Sequence, residues 1–172
     1  NEPPPDSPSF GVKLLAKAKD PGEAAQIIVD YKIPFTSAVG AIGKITPAIL
    51  VALINAMSPA EVINNLKAIK ARGAFDNPEV KALIDAKLKD ATSSKRVSAF
   101  KALKAAEVAS VDADTTERLE RVANEQVRRK AEIKRSTALF VDKSSSMTEA
   151  IQVGKQLAAM ISGVTTAGLK VY

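Results

Sequence analysis

Asp142, Ser144 and Ser146 stand at alternate positions directly after the apolar run 138–141. A strand ending there would deliver one carboxylate and two hydroxyls to its own C-terminal tip. In open α/β sheets that tip is where ligands bind. The three groups are hard oxygen donors of the kind Mg²⁺ prefers. Serine hydroxyls coordinate without cancelling the ion's charge, so the metal would stay electrophilic toward a carboxylate or phosphate from a partner. No general base stands nearby in sequence, and Lys143 could serve as one only with a strongly shifted pKa. The competing reading of the same residues is a capped helix start, with Ser146 or Thr148 as the cap.

The elements that would position this loop change character along the chain. Lys134-Arg135-Ser136 closes a helical grammar. Residues 137–141 are predicted as a strand, 142–147 as a loop and 148–162 as a helix with Ile151, Leu157, Met160 and Ile161 inward. Gly168 then leads into a second strand over 169–172. This is a β-α-β beginning, and two strands with one helix do not bury a parallel sheet.

Upstream, residues 1–9 form a Pro-rich lead-in that reads as irregular. The stretch 10–135 reads as short helices with clear punctuation. Asp20-Pro21-Gly22-Glu23, Thr46-Pro47, Ser58-Pro59-Ala60-Glu61 and Asn77-Pro78-Glu79 each combine a capping side chain with Pro at the first helical position. Val62, Leu66 and Ile69 share one helical face, as do Val80, Leu83, Ile84 and Leu88. Residues 95–109 continue the apolar spacing through Val97, Phe100, Leu103 and Ala106. Asp114 is expected to cap a charged helix over 115–133 whose sparse apolar positions are Leu119, Val122 and Ala123. The expected fold is mainly α: a HEAT-like α-solenoid segment followed by an incomplete, Rossmann-like α/β unit.

Composition bounds the function. The chain has 172 residues, no Cys and no His, so thiolate sites, disulfides and imidazole chemistry are excluded. Five Phe, two Tyr and no Trp argue against base-stacking modules built on aromatic platforms. The net charge of +6 is mild and spread out, and permits a nucleic-acid partner. No apolar run approaches a membrane span. A cytosolic, cytoplasmic setting fits. No nucleophile–base pair or carboxylate pair is readable, so an enzyme is not expected.

Residues 136–172 resemble the opening of a von Willebrand factor A domain, with Asp142, Ser144 and Ser146 matching its metal-ion-dependent adhesion site. The preceding part resembles the C-terminal half of a TROVE module of the Ro ribonucleoprotein family. The matching segments are Ile27-Ile28-Val29-Asp30-Tyr31, Ile49-Leu50-Val51-Ala52-Leu53 and Met57-Ser58-Pro59-Ala60-Glu61-Val62-Ile63-Asn64-Asn65-Leu66. The match continues through Lys95-Arg96-Val97 and the charged helix. The resemblance covers roughly residues 20–172. It implies a ring of HEAT-like helices closed by an A domain. It also implies binding of small structured non-coding RNAs on the outer surface, and of single-stranded RNA ends in the central hole. RNA quality control without catalysis would be the role. Another polypeptide or chain portion would complete the ring and the A domain, and Mg²⁺ binding by this segment alone would be weak. Candidate RNA contacts are Lys67, Lys70, Arg72, Lys95, Arg96, Arg128, Arg129 and Lys130. Each could equally be a solubilising charge with an acidic neighbour, such as Glu125 for Arg129. The alternative function is a protein-interaction module that grips an acidic group through Mg²⁺.

Overall fold

The computed structural model describes residues 3–130, 136–140, 154–155, 158–159, 161–162, 165 and 169–171. The described chain is mainly helical. Its helices are α1 (Pro8–Leu15), α2 (Pro21–Asp30), α3 (Phe35–Ala41), α4 (Pro47–Ala56), α5 (Pro59–Lys70), α6 (Pro78–Ser93), α7 (Ala99–Val108) and α8 (Ala113–Lys130).

The predicted caps form. Asp20 accepts hydrogen bonds from the backbone N–H groups of Gly22 and Glu23 at 2.8 and 3.0 Å. Asn77 accepts from Glu79 and Val80. Ser58 and Glu61 build a reciprocal capping box: the Glu61 backbone N–H donates to Ser58 Oγ at 3.4 Å, and the Ser58 N–H donates to Glu61 Oε2 at 2.8 Å. Two boundaries differ from expectation. The first helix begins at Pro8, inside the lead-in read as irregular, because Ser7 caps it by accepting from Phe10 N–H at 3.2 Å. The cap of α8 is Asp112 rather than Asp114, since Asp112 Oδ1 accepts from Thr115 N–H at 2.8 Å. Asp114 stands inside the first turn instead.

The helices stack in two layers. Helices α2, α4, α6 and α8 pack as successive neighbours in one, while α5 lies beside α7 in the other and α1 beside α3. Across the layers α1 packs on α2, α5 on α6 and α7 on α8. This alternation is consistent with an α-solenoid, in which each pair buries its apolar stripe only against the next pair. Helix α4 shows the consequence. It touches both α2 and α6 and buries Ile49, Leu50, Ala52, Leu53 and Ile54, most of its circumference. Between α5 and α6 the chain reverses through Gly73, whose φ of 77° lies in the left-handed region.

Helix α8 carries few apolar residues, yet it buries a continuous stripe of Thr115, Leu119, Val122, Ala123 and Gln126. Gln126 is 1% exposed. Its Nε2 donates to the carbonyls of Ala91, Thr92 and Ser94 at 3.0, 3.3 and 2.9 Å. They lie at the end of α6, where helical N–H donors run out; Ala91 also accepts from Ser94 N–H at 3.3 Å and Ser94 from Val97 N–H at 3.5 Å. Helix α7 corrects the expected face: Ala102 is buried, Leu103 and Ala106 are half-buried, and Phe100 is 62% exposed.

After α8, β1 (Thr137–Leu139) pairs in parallel with β2 (Leu169–Val171), Thr137 opposite Leu169 and Leu139 opposite Val171. Between them, residues 154–155, 158–159 and 161–162 are helical. No helix of the described residues is long and apolar enough to cross a membrane.

Replacing Gln126 by Ala would remove the side-chain donor from these carbonyls and leave Ala91 and Ser94 only their longer backbone bonds. Gln126→Ala is expected to lower unfolding free energy by ~1–3 kcal/mol in urea titrations, whereas an unchanged midpoint would mean that the clamp is dispensable. A second expectation concerns acid. The Ser58 hydroxyl and then its backbone N–H hold the Glu61 carboxyl below its usual range. The Thr115 N–H does the same for Asp112, with Lys81 assisting. Both groups are depressed in the fold, so their stabilisation is present above the ordinary carboxylate pKa and is lost as pH falls through the folded values. The urea midpoint should therefore drop on acidification below about pH 4. The double variant Glu61→Gln, Asp112→Asn should flatten that drop, and identical pH curves for variant and parent would refute the assignment.

Candidate nucleic-acid interface

Asp142, Ser144 and Ser146 lie outside the described residues. Among the described residues, no group of three or more acidic side chains is arranged to hold a metal ion. The site that the structure does build is a cleft between α5 and α7.

Helix α5 turns Val62, Ile63, Leu66 and Ile69 inward, which leaves Asn64 and Lys67 exposed one turn apart. Helix α7 presents Lys101 and Lys104 toward them. The cleft between holds about 310 Å³. Its floor is apolar, formed by Ile63, Ala105 and Val108, and its rim carries Asn64, Lys67, Lys101 and Lys104. A smaller hollow continues it toward the start of both helices, sharing Ile63, Asn64 and Lys101 and adding Arg96 and Ser98. At the other end Lys70 Nζ donates to the carbonyl of Ser110, just past α7. Early residues of α5 thus meet early residues of α7, and late meet late, so the two helices run side by side in the same direction. Ser98 at the N-cap of α7 makes no side-chain cap bond. The positive end of that helix adds to the field of Arg96.

Charge is sorted across the molecule. Lys81 lies 3.5–3.7 Å from Asp85, Asp112 and Asp114. Arg118 lies 3.6 Å from Asp85 and 3.0 Å from Asp114. Burial pulls Lys81 down, but the three carboxylates outweigh it and hold the ammonium above its ordinary value. The carboxylate of Asp114, with Asp85, likewise raises Arg118. These pairs lie on the α6–α8 side. Among the described residues, Lys67, Arg96, Lys101 and Lys104 enter no ion pair. A hollow of about 380 Å³ beside α6 and α8 also has a basic lining of Lys89, Arg118 and Arg121. It is larger but electrostatically poorer, because Arg118 is committed to Asp85 and Asp114, and Arg121 to Glu117 at 2.9 Å.

The structure divides the basic residues picked out from sequence. Lys67 lines the cleft and Arg96 its extension. Lys95 is exposed in the same turn but lines neither hollow. Lys70 is spent on Ser110. Arg72 donates to the Ala68 carbonyl at 2.6 Å and lies over the Phe35 ring, 5.5 Å from its centre. Arg129 donates to the Ser93 carbonyl at 2.7 Å, beside the Gln126 clamp. Glu125 pairs with Arg128 at 3.4 Å rather than with Arg129. Lys130 is the last residue of α8. Sequence reasoning missed Lys101, Lys104 and the rim position of Asn64. The available signal was the i, i+3 spacing of two lysines on an otherwise Ala-rich helix. That spacing alone does not separate the two lysines from other exposed ones, because the cleft exists only where α7 lies beside α5.

Comparison with known proteins returned no matching family model, no matching curated protein and no matching solved structure.

Arg72 and Arg129 therefore should behave as structural residues. Arg129→Ala is expected to destabilise the fold by about 1 kcal/mol in urea titrations, because it removes the donor to the Ser93 carbonyl. An unchanged midpoint would mean that the Arg129 contact carries no structural weight.

Proposed function

We propose that this chain is a non-catalytic, RNA-binding scaffold of the Ro type, with the α5–α7 cleft as its RNA contact. The observation that carries the reading is the rim of Lys67, Lys101 and Lys104, continued by Arg96, exposed and outside the ion-pair network of the described residues. Cations already held by carboxylates would have to break those pairs to meet a phosphate, and these do not. Lysine is a flexible point charge that suits phosphate contacts of variable geometry. The two-layer helical stack supports the scaffold part of the reading, because a solenoid offers an extended surface rather than a closed pocket. The incomplete α/β unit belongs to the same proposal and is supported by the parallel pairing of β1 with β2. Parallel strands need a crossover between them, and residues 154–155, 158–159 and 161–162, which fall between the strands in sequence, are helical.

The test is binding of a small RNA carrying both a stem and unpaired ends, followed by fluorescence anisotropy over a salt series. Affinity should fall linearly in log K against log salt. Replacing Lys67, Lys101 and Lys104 together by Ala should lower that slope by roughly 2, three phosphate contacts at ~0.7 each on a single strand. The triple variant should fold normally, since all three side chains are exposed. An absence of binding at low salt, or a slope unchanged in the triple variant, would end the proposal.

A further inference from the structure

Phe100 stands on the surface among lysines. It is 62% exposed, and Val108 on the same helix is 41% exposed. Phe100, Lys104 and Val108 are spaced i, i+4, i+8, so they share one side of α7. Lys101, one residue on, lines the cleft beside that stripe with Lys104 and Val108. Phe100 to Val108 spans about 12 Å along the helix, the length of a few nucleotides. An exposed aromatic would be easy to bury or replace in a helix whose other apolar residues are mostly Ala. Its position beside unpaired cations asks for a flat, apolar and anionic occupant.

We propose that α7 is a track for single-stranded RNA, with one base stacked on the Phe100 ring and the flanking phosphates held by Lys101 and Lys104. The inference rests on the RNA-binding reading and narrows it to one form of RNA. Stacking needs a free base face, and every base has one once it is unpaired. In a duplex those faces are covered by their neighbours, and an A-form helix offers phosphates and 2′-hydroxyls instead. One ring offers one stacking position, short of the multi-aromatic platforms that the composition argues against, and Asn64 on the rim of the cleft carries both a donor and an acceptor for a base edge. An acidic protein segment would also neutralise the lysines. Protein hot spots, however, seat their aromatics in recessed, desolvated pockets, and Phe100 is raised and flanked by charge.

The experiment uses the whole chain, an unstructured oligouridine and a duplex RNA of equal length, with anisotropy read at several salt concentrations. The single strand should bind more tightly than the duplex. Phe100→Ala should weaken single-strand binding about tenfold and leave the salt slope unchanged, because no charge is removed. Phe100→Trp should restore it. Duplex binding should be indifferent to both variants. If the chain binds RNA but Phe100→Ala has no effect, or weakens duplex and single strand alike, the stacking site is wrong while the RNA-binding reading survives. If neither RNA binds at low salt, both fall. Displacement of the oligouridine by polyglutamate at equal charge concentration, with Phe100→Ala weakening both ligands equally, would mark the stripe as a general polyanion surface and overturn the proposal. Since Phe100 is exposed, unchanged circular dichroism and urea midpoint will show that the variants are folded.

Discussion

The carboxyl end of α6 is the joint on which the interface depends. Its last carbonyls run short of helical donors beside α8, its neighbour in the same layer. Gln126 reaches across from α8 and donates to three of them, and Arg129 takes the carbonyl of Ser93. The clamp sets where the chain leaves α6 and so where the turn carrying Arg96 begins. That turn decides the placement of α7 beside α5. A polar residue is tolerated in this buried stripe because its amide is consumed by backbone carbonyls at a helix end, two of which otherwise hold only long backbone bonds.

The far end of the cleft is held by similar means. Lys70 closes on the Ser110 carbonyl, and Ser110 adopts a left-handed φ of 48° that few non-glycine residues take up. Helices α5 and α7 are thus tied at their carboxyl ends by a side chain, while the Gln126 clamp governs where α7 begins. Between the two ends the apolar contact leaves a shallow trough. Basic residues thus split into two kinds. Lys70, Lys87 and Arg129 donate to carbonyls past helix ends, where both hydrogen bonding and the helix dipole favour a cation. Lys67, Lys101 and Lys104 line the trough instead, and among the described residues they donate to no carbonyl.

The same sorting explains the uneven distribution of ion pairs. Asp85, Asp112 and Asp114 converge from α6 and the start of α8 and draw in Lys81 and Arg118. Acidic residues near the start of α8 are favoured by its dipole. With those carboxylates gathered on the α6–α8 side, the trough between α5 and α7 keeps an uncompensated positive rim. The network is partly exposed and contributes modestly to stability. Its larger consequence is the sign of the field on the opposite layer.

Much of the helical framework was legible from residues alone. Asp20, Thr46, Ser58 and Asn77, each followed by Pro, mark helix starts by local chemistry that needs no distant contact, and each cap forms as read. The stripes Val62-Leu66-Ile69 and Val80-Ile84-Leu88 follow from the helical period and are buried accordingly. Asp112 was missed as a cap because Asp112 and Asp114 both offer a suitable side chain near the helix start, and only the backbone path puts the first outside the helix and the second inside its first turn. Of the eight basic candidates, sequence could not separate Lys67 from Lys70 or Arg96 from Arg129, since charge and exposure are equal in a linear text. Residues three apart on α5 met different fates once α7 was laid alongside: one faces a trough, the other a carbonyl. Phe100 was misread although its neighbours marked the outward face. The 3.6-residue period sets Phe100 and Val108 on the same side of α7 as Lys101, Lys104 and Glu107, and packing buries the opposite, Ala102 side. The charges were legible in the sequence, while the rim they form with α5 exists only in the tertiary structure, because residues distant in sequence meet only through packing.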